Sequence, residues 1–419
     1  MTDLDYMRLA LQLAKRGAGW TSPNPMVGAV IVKDGRIIGQ GWHERYGELH
    51  AERNALRACT EDPAGATMYV TLEPCCHHGK QPPCVDAVLA AGIARVVVGS
   101  ADPNPLVAGR GIGILRAHGV EVTENVLRAE CDALNRIFFH YITTKRPFVS
   151  MKYAMTMDGK IATYTGASRW VTGEAARQHV QTQRHRFRGI MVGVGTVLSD
   201  DPLLTCRIPG SRNPIRIICD TQLRTPLDAK VVTSAHEVPT ILATCCADPE
   251  RHAPYLAAGC RVLCVPETSP TRSNADMTSD STTHIYPAAT ETDVSTTALS
   301  FNDHPSLPSE EAKQHPHLDL SALMSLLGAE GIDSILLEGG STLNWSALES
   351  GIVQQVQCYI APKLFGGQRA KTPVEGLGIP TPDACFHLTK RRITELGDDI
   401  LIESEVLYPC SPESSKKSE

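Results

Sequence analysis

Two consecutive α/β domains are what this sequence predicts, and three observations carry the expectation. At 419 residues the chain exceeds what one ordinary hydrophobic core supports. Apolar runs of strand length alternate with segments of helical periodicity on both sides of Arg146-Pro147. A content of 42% hydrophobic and 21% charged residues suits a globular protein. The expected divisions are a first domain over 1–145, a second over 146–408 and a flexible tail over 409–419.

In the first domain, Leu4, Met7, Leu11 and Ala14 keep helical spacing up to Gly17-Ala18-Gly19. Residues 29–32 form a buried strand, Asp34-Gly35 a hairpin turn and 36–39 the returning strand. Asn24 sits between two prolines just before that first strand. A helix starts close to His50 and runs through Leu56. Strands follow at 66–72 and 95–99, then a glycine-rich loop at 109–113, a strand at 120–122 and a helix at 126–141.

The second domain opens with a strand at 148–154 and the turn Asp158-Gly159. A helix at 174–187 and a strand at 189–197, breaking into a glycine turn, come next. Further strands at 215–220 and 240–244 precede a change of composition. Over 267–317, Ser, Thr, Asp, Pro and His displace core residues, so this stretch is expected to be a disordered surface insertion. Its His284, His304, His315 and His317 are too scattered for a metal site. Order resumes with a helix at 320–327 and a strand at 334–338. The turn Glu338-Gly339-Gly340 then starts a helix, where backbone amides cradle phosphate; many α/β loops share that pattern.

Chemistry concentrates in the first fifth of the chain. His50-Ala51-Glu52 and Glu73-Pro74-Cys75…Cys84 together offer one imidazole, two thiolates and a free carboxylate. Hydrolytic zinc takes three protein ligands and keeps a fourth position for water. His50, Cys75 and Cys84 meet that count, leaving Glu52 to move protons. This H-x-E…P-C…C arrangement is the signature of zinc deaminases, in which the metal activates water and the Glu shuttles its proton to the leaving amine. Pro82 and Pro83 hold the loop extended before Cys84, which falls at a helix start where the dipole favours thiolate. Cys76, His77 and His78 are alternative donors in the same run, but Cys75 holds the position after Pro74.

Bulk properties exclude several classes. A net charge of −6 and a pI near 6.2 give no electrostatic reason to bind nucleic acid. That argues against an editing deaminase, which shares the zinc signature. Fourteen scattered cysteines look like reduced thiols plus a metal site, not a disulfide framework. No secretory signal opens the chain and no apolar run has membrane-spanning length, so a cytoplasmic location is expected. A purely structural zinc module would have no use for Glu52.

Two motif sets in a fixed order resemble the bifunctional deaminase–reductases of riboflavin biosynthesis. Asn24-Pro25-Met26-Val27-Gly28, His50-Ala51-Glu52, the run from Thr71 to Cys84 and Asp102-Pro103-Asn104-Pro105 look like the deaminase half. Lys152 to Gly159, Ser168-Arg169-Trp170, Gly195-Thr196, Asp200 to Thr205 and Leu337 to Gly340 look like the reductase half. The resemblance implies a cytidine-deaminase-like α/β/α domain followed by a dihydrofolate-reductase-like α/β domain, with Zn2+ in the first and NADPH in the second.

It also implies deamination of 2,5-diamino-6-(5-phosphoribosylamino)pyrimidin-4-one, then reduction of the ribosyl group of the product to ribityl. Glu52 would be catalytic and Asn24 would fix the pyrimidine. Ala154, Trp170, Thr196, Asp200, Thr221 and the turn Gly340, Ser341, Thr342, Leu343, Asn344, Trp345, Ser346 would meet the nucleotide. Ser168, Arg184, Leu204, Arg207 and Glu338 would meet the substrate, with Lys152 orienting it; a guanidinium fork suits phosphate. No acid/base residue is implied for the reduction. Cys76 and Gln81 depart from the family's pattern beside the metal loop without replacing a ligand. The partners implied are phosphorylated pyrimidines, with neither nucleic acid nor membrane; a homo-oligomer stays an open expectation.

Overall fold

The computed structural model describes residues 1–268 and 317–409. The first sheet collects β1 (Gly28–Lys33), β2 (Arg36–Trp42), β3 (Thr67–Leu72), β4 (Arg95–Ser100) and β5 (Glu121–Thr123) in the order β2-β1-β3-β4-β5. Its hairpin forms because Asp34 and Gly35 both take positive φ, 50° and 73°, which matches the twist of the flanking strands. β1 also pairs antiparallel with β3, whereas β3, β4 and β5 run parallel.

Both faces of this sheet are covered. Ala29, Ile31, Met68 and Val70 point to one side, against α2 (Ala51–Arg57), α3 (Cys84–Ala90) and α4 (Arg110–Ala117). Val30, Val32, Tyr69 and Val97 point to the other, against α1 (Asp3–Ala14) and α5 (Arg128–Leu134). Alternate residues of β1 are therefore all buried, which gives a continuous apolar run in place of a polar–apolar alternation.

Two local expectations fail here for identifiable reasons. The glycine-rich stretch 109–113 is not a loop: Gly109, at φ 78°, caps α4 and the rest is its first turn. Gly111 is needed because a Cβ there would lie 2.2 Å from the Pro74 carbonyl, beside the metal loop. The helix expected at 126–141 is two, α5 and α6 (Arg136–Thr144), broken at Asn135. The Asn135 side chain leaves the helix to pair with Met26, accepting from its N–H at 2.9 Å and donating to its carbonyl at 3.0 Å.

The second sheet has nine strands in the order β10-β9-β8-β7-β11-β6-β12-β14-β13. In chain order these are β6 (Phe148–Thr156), β7 (Gly189–Gly193), β8 (Ile215–Cys219), β9 (Thr240–Thr244), β10 (Arg261–Cys264), β11 (Ser334–Gly339), β12 (Val353–Ala361), β13 (His387–Leu396) and β14 (Asp399–Leu407). All neighbours from β10 to β12 run parallel, and β14 and β13 close the edge antiparallel.

Helices α7 (Glu174–Arg186), α8 (Val194–Asp200), α9 (Lys230–Thr233), α10 (Pro249–Ala257), α11 (Leu320–Ala329) and α12 (Ser341–Glu349) complete the domain. Met191 and Ile217 face one core and Ile190 and Ile218 the opposite one, as expected for a parallel sheet covered on both faces. The strand expected over 189–197 ends at Gly193, and α8 starts at once. Arg216, fully buried on β8, spends its guanidinium on Thr240 Oγ1, Ser234 and the carbonyls of Leu203 and Val238.

The expected insertion falls outside the described residues except at its ends, and so do His284, His304, His315 and the tail beyond Pro409. Its ends meet: Thr268 N–H donates to the His317 carbonyl at 2.8 Å, and Glu267 bridges antiparallel to Leu318. The two sheets are joined by contacts as well as by chain. Arg136 pairs with Glu405 at 3.0 Å, Tyr141 OH donates to the Gly328 carbonyl at 3.0 Å, and Trp20 packs edge-on against His185. Among the described residues no helix is long and apolar enough to cross a membrane.

Asn135→Ala removes both partners of Met26 at a site that is 2% exposed. The expected cost is about 1–3 kcal/mol, read in calorimetry as a lower midpoint for the transition of the first domain.

Candidate active sites

The first site forms where β3 ends and two helices begin. His50 is the N-cap of α2 and Cys84 the first residue of α3, while Cys75 lies three residues beyond β3. The Cys75 carbonyl accepts from the N–H groups of Cys84 (3.0 Å) and Val85 (3.2 Å), which fixes the loop against α3. His50 Nδ1 stands 3.5 Å from Cys75 Sγ and 3.4 Å from Cys84 Sγ. All three ligand atoms lie within 4.8 Å of one another. A tetrahedral zinc with ordinary Zn–N and Zn–S lengths needs N···S separations of about 3.6 Å, so the donors present fit the metal.

Their electrostatics point the same way. Hydrogen bonding from Cys84, against the opposing effect of burial, brings the Cys75 thiol down to about 4. Cys84 goes the other way, held up by Cys75, by burial and by Glu52. Two thiols in such contact both become thiolates only with a cation between them. Glu52, 3% exposed and bonded to the Cys84 thiol, is raised by burial and then by the charge on Cys75.

Glu73 serves structure: its carboxylate accepts from Gly109 N–H (3.0 Å) and Ile112 N–H (3.2 Å), capping α4. Cys76 reaches the Leu106 carbonyl, and Gln81 Nε2 donates to the Gly47 carbonyl at 2.9 Å, so the metal loop is tied to the segment before His50.

Asn24 has a partner the motifs did not reveal. Its Nδ2 lies 3.3 Å from His43 Nε2, and His43 Nδ1 lies 3.0 Å from the Leu49 carbonyl. Burial lowers His43 to about 4, so the ring is neutral. Nδ1–H then donates to Leu49, Nε2 accepts from the Asn24 amide, and the Asn24 carbonyl oxygen is left to face a ligand. The signal available in sequence was a lone histidine after Gly41-Trp42.

The second site lies at the carboxyl ends of the parallel strands. One cavity, of about 590 Å³, is lined by Thr196, Asp200, Thr221, Gly340 to Leu343, Ser346, Ser168 and Glu338. An adjoining one, of about 300 Å³, is lined by Lys152, Ala154, Ser168, Trp170, Arg184, Asp200, Arg207, Glu338, Gly340, Ser341 and Asn344. The glycines make the crevice: a Cβ on Gly339 (φ 58°) would lie 2.3 Å from Asn344 Oδ1. Thr196 Oγ1 donates to the Gly339 carbonyl at 3.1 Å, joining α8 to that turn. This long cleft, floored by a glycine turn at the start of α12, fits a dinucleotide.

Two of the expected residues line neither cavity. Leu204 is 3% exposed, with its side chain packed beside Ile190, Val192 and Ile218, so only its backbone remains for a ligand. Trp345 packs edge-on against Phe386. Arg184 lines the smaller cavity, but its Nε and Nη2 donate to the two oxygens of Glu338, both at 2.8 Å, and Nη1 donates to the Thr205 carbonyl. Its fork is thus occupied by a carboxylate rather than open to a phosphate. Arg207 is exposed over the same cavity, its backbone held by Gln181.

Burial would raise Glu338, but Arg184, then Lys152 and Arg207, outweigh it and bring it to about 2. Burial lowers Lys152 against the pull of Glu338. Arg177 stacks 4.8 Å over the Trp170 ring, and Lys363 donates to the carbonyls of Trp170 and Val171, holding this rim in place. Sequence reasoning reached neither residue.

Cys75→Ala and Cys84→Ala are each expected to lose bound zinc by elemental analysis, whereas Cys76→Ala keeps it. Glu338→Gln leaves the Arg184 guanidinium buried without a counter-charge, an expected loss of about 3–5 kcal/mol in urea unfolding. In the wild type the depressed Glu338 favours folding fully above the usual carboxylate pKa of 4.5, and that contribution is lost as pH falls towards about 2.

Known proteins match this chain over nearly all its length. Residues 1–100 match the cytidine and deoxycytidylate deaminase zinc-binding region, and residues 147–402 the RibD C-terminal domain. The riboflavin biosynthesis protein RibD of Actinobacillus pleuropneumoniae is 50% identical over 409 residues, covering 98% of this chain and 96% of that protein. RibD of Escherichia coli is 38% identical, covering 93% and 99%. The crystal structure of a Thermotoga maritima diaminohydroxyphosphoribosylaminopyrimidine deaminase/5-amino-6-(5-phosphoribosylamino)uracil reductase superposes with TM-score 0.74 at 32% identity, over 97% of this chain and 99% of that one. Zinc-binding deaminase in front, reductase behind and close relatives along the whole length: the chain belongs to the RibD family of bifunctional deaminase–reductases in riboflavin biosynthesis.

Proposed function

We propose that the two reactions run at the two sites described, deamination within residues 1–145 and reduction within 146–408. The observation that carries the first assignment is the convergence of His50, Cys75 and Cys84 beside a buried Glu52. His50, Cys75 and Cys84 would hold zinc, which would supply an acidified water. Glu52 does the proton work. Burial raises the proton affinity of its carboxylate, which would take the proton of that water as attack proceeds and pass it to the leaving amine. Asn24, oriented by His43, accepts a hydrogen bond from the pyrimidine and sets the amino-bearing carbon against the water. The water oxygen stays as the ring carbonyl and the amino group leaves as ammonia.

In the second reaction NADPH supplies a hydride. It adds to C1′ of the ribosyl group while the ring C–O bond opens and the released oxygen gains a proton, giving ribityl. The cofactor takes the larger cavity, over Thr196, Asp200 and the turn from Gly340 to Ser346; Ala154 and Trp170 bound its reactive end. The substrate takes the smaller one. Arg207 and the two donors of Arg184 not used by Glu338 or Thr205 meet its phosphate. Ser168 and Lys152 orient the sugar.

Glu52→Gln separates the two halves. Ammonia release from the diaminopyrimidinone phosphate should fall by about 10²–10⁴-fold with zinc retained. NADPH oxidation should disappear with that substrate and return at the wild-type rate with 5-amino-6-(5-phosphoribosylamino)uracil. Oxidation absent in both proteins, even with the uracil, would overturn the reductase assignment.

A further inference from the structure

The two cavities of the reductase site have a direction. They share Ile161, Ser168, Asp200, Glu338, Gly340 and Ser341, so the hydride-donating end of the cofactor lies there, against the substrate. The adenosine end must then occupy the far part of the larger cavity, lined by Cys219, Thr221, Arg224, His317, Leu318 and Leu320. NADPH differs from NADH only at that end, by a phosphate on the adenosine ribose.

The turn after β8 is built to present one side chain there. Asp220, fully buried, accepts on Oδ2 from Arg224 N–H (2.6 Å), Thr225 N–H (2.7 Å) and Thr225 Oγ1 (2.8 Å). Leu223 adopts a positive φ of 54° and buries its side chain, 4% exposed, which anchors the turn from below. Arg251 donates to the carbonyls of Gln222 (2.6 Å) and Leu223 (3.2 Å), and Tyr255 OH to that of Thr225 (2.6 Å). The Arg224 guanidinium is what emerges: half-exposed, lining the cavity, its Nε 3.9 Å from Asp220 Oδ1.

In Rossmann-type sites a carboxylate at a strand end binds the adenosine ribose of NADH, whereas an arginine nearby accommodates the extra phosphate of NADPH, and the same chemistry applies to any dinucleotide site at strand ends. Here the carboxylate at that position, Asp220, is sealed under the turn and committed to backbone N–H groups. Its remaining oxygen has no hydrogen-bond partner, so it holds the cation close without consuming its outward donors.

We infer that Arg224 selects NADPH over NADH by pairing with the 2′-phosphate of the adenosine ribose. The guanidinium offers parallel donors to two phosphate oxygens, with the Thr221 hydroxyl beside it on the same turn. This inference rests on the assignment of NADPH to the larger cavity and adds the group that recognises it.

Calorimetric titration of the full chain with NADPH and with NADH tests it, in the wild type, Arg224→Ala and Arg224→Lys. The wild type should bind NADPH more tightly. Arg224→Ala should weaken NADPH about 10- to 100-fold and leave NADH unchanged, since one charge-assisted contact is lost. Arg224→Lys should recover part of the preference, and 2′,5′-ADP should displace NADPH from the wild type. A wild-type preference retained in Arg224→Ala overturns the inference and leaves the cofactor site standing. Equal loss of both dinucleotides in both variants also overturns it, because Arg224 would then be a support of the turn. A wild type that binds neither dinucleotide removes the cofactor assignment itself.

Discussion

Three soft donors held within a few ångströms of one another impose more order on this protein than any other contact. A neutral imidazole and two thiols have little reason to meet without a cation. Bringing two sulfurs together pushes their acidities apart, so one holds its proton while the other gives it up. The surrounding fold is arranged to keep them there. β3 delivers the loop, α2 and α3 begin at the ligands, and Glu73 clamps α4 against the strand end so that Gly111 can sit on the Pro74 carbonyl. The Asn24 amide belongs to the same frame, because it takes its orientation from a histidine packed edge-on against His50.

The reductase half solves a different electrostatic problem. Its smaller cavity gathers Lys152, Arg177, Arg184 and Arg207 around one buried carboxylate, Glu338, with the exposed Asp200 also lining it. A single buried acid beside several cations leaves a net positive basin, which suits a phosphorylated sugar. Pairing Arg184 with Glu338 also fixes both side chains before any ligand arrives, so less ordering is required on binding. The rim is preset too, with Trp170 held between Arg177 and the carbonyl contacts of Lys363.

How far these features could be read beforehand depends on how locally they are encoded. The zinc ligands span 35 residues and obey a spacing rule, so His50, Cys75, Cys84 and Glu52 were legible directly. The first sheet was legible because β1, β3 and β4 are apolar runs and Asp34-Gly35 marks the hairpin to β2. The reductase cleft is assembled from β6, β7, β8 and β11, distant in sequence, and only the resemblance brought its residues together. Strands β13 and β14 escaped because β13 is largely exposed and charged, as an edge strand is, and has no hydrophobic run to announce it. Helix α10 escaped although Asp248-Pro249-Glu250 is a helix-start signal, since Pro254 within it reads as a breaker. The Arg184–Glu338 pair was out of reach because an arginine's partner is set by whichever acid the fold puts opposite, here one 154 residues away.

The paired ends of the segment between Thr268 and His317 bear on how this chain can vary. Because Thr268 pairs with His317 and Glu267 with Leu318, the two points where this stretch of sequence joins the sheet are held together, and the closure cost of inserted residues grows only logarithmically with their number. The scaffold is therefore largely indifferent to what is spliced in at this point. The larger cavity is not, for His317 and Leu318 on this paired stem also wall it. The stem residues themselves therefore tie this point of the chain to the larger cavity.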